Sequence, residues 1–475
     1  MSMTRRSALA GLATSGIAAA ATAHKETGSS GAAQDVTLGG RFAPPMNAAR
    51  PVELEGLLLN QARAQAVMEA EGVDLLICSR LANYYYLTAS EPSALLLGYD
   101  AGIDFATLSA HGDLRPTMIT SQVGLYFQGI PDSRLTLLDV SIVGAPVDPE
   151  AYVQLGDPQA IAEALGKSFM TRRNSIHPES ASEQIRHEVV ASESEIIRAS
   201  MEAALVKQVL DNPLPNRTVA IDDLRIRELL ERSGKDLRFV DGENLIRRIR
   251  VQKTPLELSL MRYAATANAT AARKTAMAVR DGATFDDLRS EFWKQCGAHD
   301  TTARYMMIDT LIPRTSQGEV KDGRSFLIDC VSTFRGYHGD YGRTVCVGEP
   351  NREMSKIVAA LSNTWDRLLV ELKPGLRFSE LLALGQKLFA DTNIDVGFAL
   401  NPHTIGLNHS DDENIASYGS YRKADIALEE NMVLSVDMPL LDSGLGGTAH
   451  LEDLVIITKD GPELINDSSD RFIVV

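Results

Sequence analysis

The segment Leu327 to Thr344, LIDCVSTFRGYHGDYGRT, restricts the fold more than any other stretch of the chain. Apolar, strand-forming residues surround two aspartates, Asp329 and Asp340, with a glycine-containing turn between them. Pairing SFLIDCV with DYGRTVCV as a hairpin across STFRGYHG brings the two carboxylates side by side. A second hairpin repeats the arrangement: VLSVDMP carries Asp437, the turn DSGLGGT follows, and HLEDLVI carries Glu452. His403 lies between the two hairpins in sequence.

Four carboxylates gathered in a partly buried site repel one another, and protonation or a cation must relieve them. Two divalent ions bring four positive charges to four acids. An oxygen-rich shell with one nitrogen suits manganese, cobalt, iron or zinc and excludes a thiolate-type structural zinc site. Two such ions, roughly 3.5–4 Å apart, lower the pKa of a shared water and polarise a carbonyl, which is the chemistry of hydrolysis.

The rest of the chain divides around this centre. At 475 residues it is long for one domain and two are expected. Paired arginines (Arg5, Arg6), an Ala/Gly/Leu stretch and Ala21-Thr22-Ala23 have the order of a cleavable export signal over residues 1–23. The arginine pair resembles a twin-arginine signal, so an exported, periplasmic or extracytoplasmic product is expected. Residues 24–50 read as a linker, 51–240 as an α/β domain and 241–475 as an α+β domain. A helical pattern runs from about Glu53 to a stop at Gly72, and VDLLICS follows as a buried strand. The stretch HPESASEQIRHEVVASESEIIRASMEAALVKQVLDN is expected to be helical after a polar start. In the second unit, Thr254-Pro255-Leu256-Glu257 has the residues of a helix start, and Leu258, Met261, Ala265, Ala269 and Ala272 follow helical spacing up to Gly282. A net charge of −16 argues against nucleic acid and anionic membranes as partners. Nothing after the signal is apolar for long enough to give stable membrane insertion. Four cysteines without C-x-x-C spacing give neither a disulfide scaffold nor a zinc site.

Read together, D-x-x-x-x-x-x-G-Y-x-x-D-x-x-R-T from Asp329, His403-x-x-Gly-Leu and the late E-D-x-V-x-x-T-x-D-G from Glu452 resemble the creatinase/aminopeptidase P/prolidase family, peptidase family M24. VDLLICSRLANYYYLTAS and IRRIRVQKTPLELSLMRYA are similar to that family's N-terminal segment and to the start of its catalytic domain. The resemblance implies an α/β N-terminal creatinase-like domain followed by an α+β pita-bread catalytic domain. It also implies two divalent ions, manganese foremost with cobalt, iron or zinc as alternatives. Asp329, Asp340, His403, Asp437 and Glu452 match the metal ligands, and Asp437 falls at the general-base position. The implied activity is that of an Xaa-Pro aminopeptidase or dipeptidase acting on short peptides as a homodimer or higher homo-oligomer.

Four departures from the family pattern stand out. Asp437 is one methylene shorter than the usual glutamate and is followed by Met438-Pro439 instead of Pro-Gly. Val331 replaces the glycine of D-x-G. Ile312 and Pro313 occupy the place of an upstream substrate-facing histidine, with Arg314 and Thr315 nearby. His409 comes six residues after His403 where seven is usual, and it stays a candidate for holding substrate. These departures keep alternatives open: a creatinase-like C–N hydrolase or a lyase on a small non-peptide substrate, or a catalytically impaired homologue. Among other residues, His450 lies two before Glu452 and so on the same strand face, either supporting a ligand or packing in the core. Arg343 either orients a ligand carboxylate or forms a structural ion pair. His338 is expected on the exposed first turn, and Cys330 and Cys346 in the core.

Overall fold

Alternating strands and helices in the first half build a mixed sheet, and a helix-backed antiparallel sheet follows in the second. The computed structural model describes residues 49–51, 56–121, 124, 137–143, 178, 180, 197–198, 200–312, 318–416 and 420–475. The expected export signal, nearly all of the linker and most of the segment 177–199 lie outside the described residues.

The first described helix is Gln61–Glu71, shorter than the pattern from Glu53 suggests. Asn60 sets its start, its side chain accepting from the Arg63 N–H, and Gly72 ends it in the left-handed conformation at φ 61°. The first sheet contains β1 (Leu75–Cys78), β2 (Phe105–Ser109), β3 (Thr117–Ser121), β4 (Asp139–Val143), β5 (Ile197–Arg198), β6 (Thr218–Ile221) and β7 (Arg238–Asp241). Their order is β5-β4-β3-β2-β1-β6-β7. Every residue of β1 is buried, consistent with a central strand covered on both faces. Of the long segment expected to be helical, Met201–Asp211 is a helix, but Ile197–Arg198 is strand β5, its backbone pairing in parallel with Ile142–Val143 of β4, which corrects the expectation there.

Helix Pro255–Met277 opens the second unit with a reciprocal capping box between Thr254 and Glu257 and proline at its start. Helix Phe285–Ala298 follows. The second sheet contains β8 (Thr302–Ile308), β9 (Ser325–Phe334), β10 (Tyr337–Cys346), β11 (Asn401–Thr404), β12 (Val433–Leu440), β13 (Ala449–Thr458), β14 (Gly461–Leu464) and β15 (Phe472–Val474). Its order is β11-β12-β13-β10-β9-β8, with β14 beside β13 and β15 parallel to the end of β10. Ile328, Cys330, Tyr341 and Val345 point to one face and pack with Ala269, Ala271 and Ala272 of the long helix. Gly339 allows that helix to approach, because a Cβ there would stand 2.3 Å from the Ala264 carbonyl oxygen. Helices Arg352–Leu369 and Phe378–Ala390 cover the β12–β13 part of the sheet through Leu361, Trp365, Leu381 and Phe389. The opposite face of the strands carries the acidic residues.

Helix Gly242–Arg250 and the turn after it tie this sheet to the first one. Arg250, 1% exposed, holds Asp411 through two nitrogens and also donates to Asn83. Arg247 donates to the Ser410 and Asp412 carbonyls at 3.1 and 2.9 Å. Asp412 in turn accepts from the Thr404 N–H at 2.9 Å. The segment from His403 to Asp412, which carries both family-type histidines, is therefore fixed by side chains from before the catalytic-type sheet begins.

Candidate metal centre

Strand register puts the expected acids in a single row. Asp329 on β9 faces Gly342 on β10, Gly342 faces Glu452 on β13, Glu452 faces Asp437 on β12, and Asp437 faces Asn401 on β11. One pleat along, Val331 faces Asp340 and Ser435 faces His403. Because alternate residues share a face, both rows project the same way. All five residues matched to metal ligands thus lie on one face of the sheet.

Two smaller groupings exist within this patch. Ligand-type atoms of Asp340, His403 and His409 lie within 4.8 Å of one another, and so do those of Asp329, His450 and Glu452. His409 Nε2 stands 2.8 Å from Asp340 Oδ2, and His403 Nε2 stands 3.8 Å from the same oxygen. The one-residue shift of His409 therefore leaves it at the site. Glu452 accepts from the Ser435 hydroxyl at 2.5 Å, and its other oxygen is 3.2 Å from His450 Nε2. Asp437 joins neither group of three. Its Oδ2 accepts from Asn401 at 3.2 Å, and its Oδ1 lies 3.5 Å from His450 Nε2. Lys423 donates to Asn401 Oδ1 at 3.1 Å and so orients the amide that holds Asp437.

The electrostatics are those of a site short of positive charge. Burial and the Asp437 carboxylate push Asp340 up to about 8. Burial and Glu452 push Asp437 up to about 6. Asp329 and Glu452 are raised well above the carboxylate range, by burial first and then by their acidic neighbours. Burial, with His409 adding to it, holds His403 well below the ordinary imidazole value and keeps it neutral, as a metal ligand must be. Asp329 Oδ1, Asp340 Oδ1 and Asp437 Oδ1 are buried with no hydrogen-bond partner among the described residues. Orphaned acceptors, neutral imidazole and an oxygen-rich donor set fit divalent cations.

At the site one reading from sequence needs correction, and one open alternative is decided in favour of a structural ion pair. His338 is not on an exposed turn: the turn is only Arg335 and Gly336, both at positive φ, so β10 begins at Tyr337 and buries His338, whose Nδ1 meets the Gly406 carbonyl at 3.0 Å. Arg343 does not reach the carboxylates. It points to the other face, pairs with Asp453 at 2.6 Å, lies over Tyr341 and holds the Glu452 main-chain oxygen. Cys330 and Cys346 are buried free thiols, as expected. Of the stretch that lacks the upstream histidine, Ile312 is exposed, while Pro313, Arg314 and Thr315 lie outside the described residues. Tyr305, on β8, is a site residue that the motifs missed. Its hydroxyl is 3.0 Å from His409 Nε2 and it faces Val331. A β-bulge between Ala303 and Tyr305 decides which face it occupies, and no pattern in the sequence announces that bulge.

A helix-backed sheet bearing this carboxylate–imidazole patch defines the pita-bread class. Residues 259–459 match the model of Metallopeptidase family M24. It is 32% identical over 142 residues to methionine aminopeptidase B of Synechocystis sp., a match covering 30% of this chain and 51% of that protein. It is 29% identical over 147 residues to an Xaa-Pro dipeptidase of Lactobacillus delbrueckii subsp. lactis, covering 31% and 38% of the two chains. The chain thus spans about half or less of the length of these curated relatives. Across most of its length the fold resembles that of an Xaa-Pro dipeptidase from Bacillus anthracis, with TM-score 0.58, 16% identity, and coverage of 87% of this chain and 98% of the other. It also resembles a Glu383Ala form of Escherichia coli aminopeptidase P, with TM-score 0.55, 16% identity, and coverage of 86% and 94%.

Proposed function

We propose that this protein is an exported, metal-dependent exopeptidase that hydrolyses short peptides of the Xaa-Pro type. The observation that carries the reading is the row Asp329, Glu452 and Asp437 with Asp340 and His403 one pleat away, all on one sheet face, with one oxygen each of Asp329, Asp340 and Asp437 unpaired among the described residues. These five residues would hold two divalent ions. Such ions, when bound, supply Lewis-acid polarisation of a carbonyl and a water made acidic enough to react near neutral pH.

The protein's own groups account for the remaining work. Asp437 keeps Oδ2 occupied by Asn401 and leaves Oδ1 free to take the proton of the attacking water. His409, more than a third exposed, forms the substrate side of the site and is steadied by Asp340 and the Tyr305 hydroxyl. Its imidazole is placed to hold a substrate carbonyl. The names of the relatives support peptides as the substrate class, and the Arg5–Arg6 segment supports export of the folded chain.

The test is metal content of the purified mature protein, followed by cleavage of Xaa-Pro dipeptides with and without added manganese. About two equivalents of metal with proline-dependent, chelator-sensitive cleavage is expected. Bound metal with no peptide turnover would overturn the peptidase reading in favour of a C–N bond in a small non-peptide substrate. Export is tested separately. Arg5→Lys with Arg6→Lys should trap the protein in the cytoplasm, and unchanged export in a strain lacking the twin-arginine translocase would overturn that part.

A further inference from the structure

We propose that His450 is itself a metal ligand, so that each of the two ions is bound by an imidazole, and that this second imidazole compensates for the short acid at Asp437. The inference rests on the metal-centre reading above and extends the ligand set beyond the five residues matched to the family.

Four observations support it. His450 is 1% exposed, and its Nε2 points among the acids, 3.2 Å from Glu452 Oε2 and 3.5 Å from Asp437 Oδ1. With Asp329 and Glu452 it forms a group whose donor atoms lie within 4.8 Å of one another, the usual reach of ligands around one ion. Its Nδ1 is buried without a hydrogen-bond partner among the described residues, so no second-side contact commits Nε2 to being a mere donor to Glu452. Finally, the sheet makes room for this ring. A Cβ on Gly342, the residue between Asp329 and Glu452 in the row, would stand 1.9 Å from His450 Cδ2. Gly342 is therefore the vacancy into which the imidazole is laid.

The arrangement makes the centre nearly symmetrical. Asp340 and His403, with His409 beside them on the substrate side, provide for one ion, and Asp329, Glu452 and His450 for the other, with Asp437 beside the second. Asp437 lacks the methylene that would carry its carboxylate further in, and the imidazole stands in the space between it and Glu452. A nitrogen at each ion also shifts the preference away from manganese, which favours carboxylate oxygens, toward cobalt, zinc or iron, which accept imidazole readily.

The experiment is proton NMR of the cobalt-loaded protein labelled with 15N-histidine. Each ligating imidazole contributes one strongly shifted N–H resonance, and for His450 that proton is the buried, slowly exchanging Nδ1–H. Wild type should bind two cobalt ions, and His450→Gln should lose one shifted resonance and bind one of the two ions at least tenfold more weakly. Should His450→Gln fail to fold, His409→Gln decides. Resonances from two other imidazoles, His403 and His450, should remain in it, and a single one would overturn the proposal. An unchanged spectrum in folded His450→Gln would also overturn it. Because the readout needs no substrate, cobalt-bound His450 with no Xaa-Pro cleavage would sink the peptidase reading and leave this inference standing. Failure of wild type to bind cobalt at all would sink both.

Discussion

Arg250 and Lys253 meet Asp411 in a pocket as dry as the one that collects Asp329, Asp340, Asp437 and Glu452, yet the two clusters respond to burial in opposite ways. Burial alone would raise Asp411, but Arg250 and Lys253 outweigh it and hold the carboxyl at about 2. In the other cluster nothing outweighs burial, and Asp340 rises to about 8. Both clusters follow from one rule: a buried carboxylate is tolerated when a cation lies against it. At Asp411 the chain supplies that cation. At the acidic row no described residue does, and on the metal-centre reading that deficit marks the place of an ion from solution.

The comparison is broken most severely by removing an acid from each cluster. Asp340→Asn should abolish metal binding at the His403 side and lower peptide hydrolysis by more than about 100-fold, beyond the loss usual for groups that only support ligands. In metal-free protein near neutral pH the same change should raise the urea midpoint, since it removes the cost of protonating a buried carboxyl held up to about 8. Asp411→Asn should do the reverse and destabilise the metal-free protein by about 3–5 kcal/mol, because Arg250 is left buried without its partner. Equal signs for the two variants in chelator would refute the contrast.

Titration sharpens it. Asp340 is raised in the folded chain, so its contribution favours folding below about 4 and is lost as pH rises through about 8. Asp411 is depressed, so its contribution is present above about 4 and is lost as pH falls toward about 2. Metal-free protein should therefore lose stability between pH 5 and 8, and saturating metal should remove or invert that slope, as measured by urea unfolding at each pH. The smallest effect is expected at Lys423. Lys423→Met leaves Asn401 less firmly oriented toward Asp437 and should slow turnover by less than about tenfold with metal content unchanged.

The acids themselves were legible in the sequence because a strand has period two. Once Asp329 and Asp340 fall on a hairpin and Asp437 and Glu452 on another, alternation places each pair on one face. What the pattern could not give was the length of the turns. Read as STFRGYHG, the first turn exposes His338. Built as Arg335-Gly336 alone, it lengthens both strands and buries that ring. The long helix after Thr254 was similarly legible, since its capping box and alanine spacing are local, whereas Tyr305 depends on a bulge and His450 on a glycine on a neighbouring strand. Arg343 was ambiguous for the same reason: its partner Asp453 is far away in sequence, and only the face it occupies decides between them.

The strand Phe472–Val474 lies alongside Thr344–Cys346, continuing the edge of β10 that Glu452 and Leu451 begin. During synthesis, then, the aspartate-bearing hairpin emerges well before the segments that complete its hydrogen bonding, and it must wait for more than a hundred further residues. On the metal-centre reading, cation capture waits on the same closure, because Glu452 follows Asp340 by more than a hundred residues.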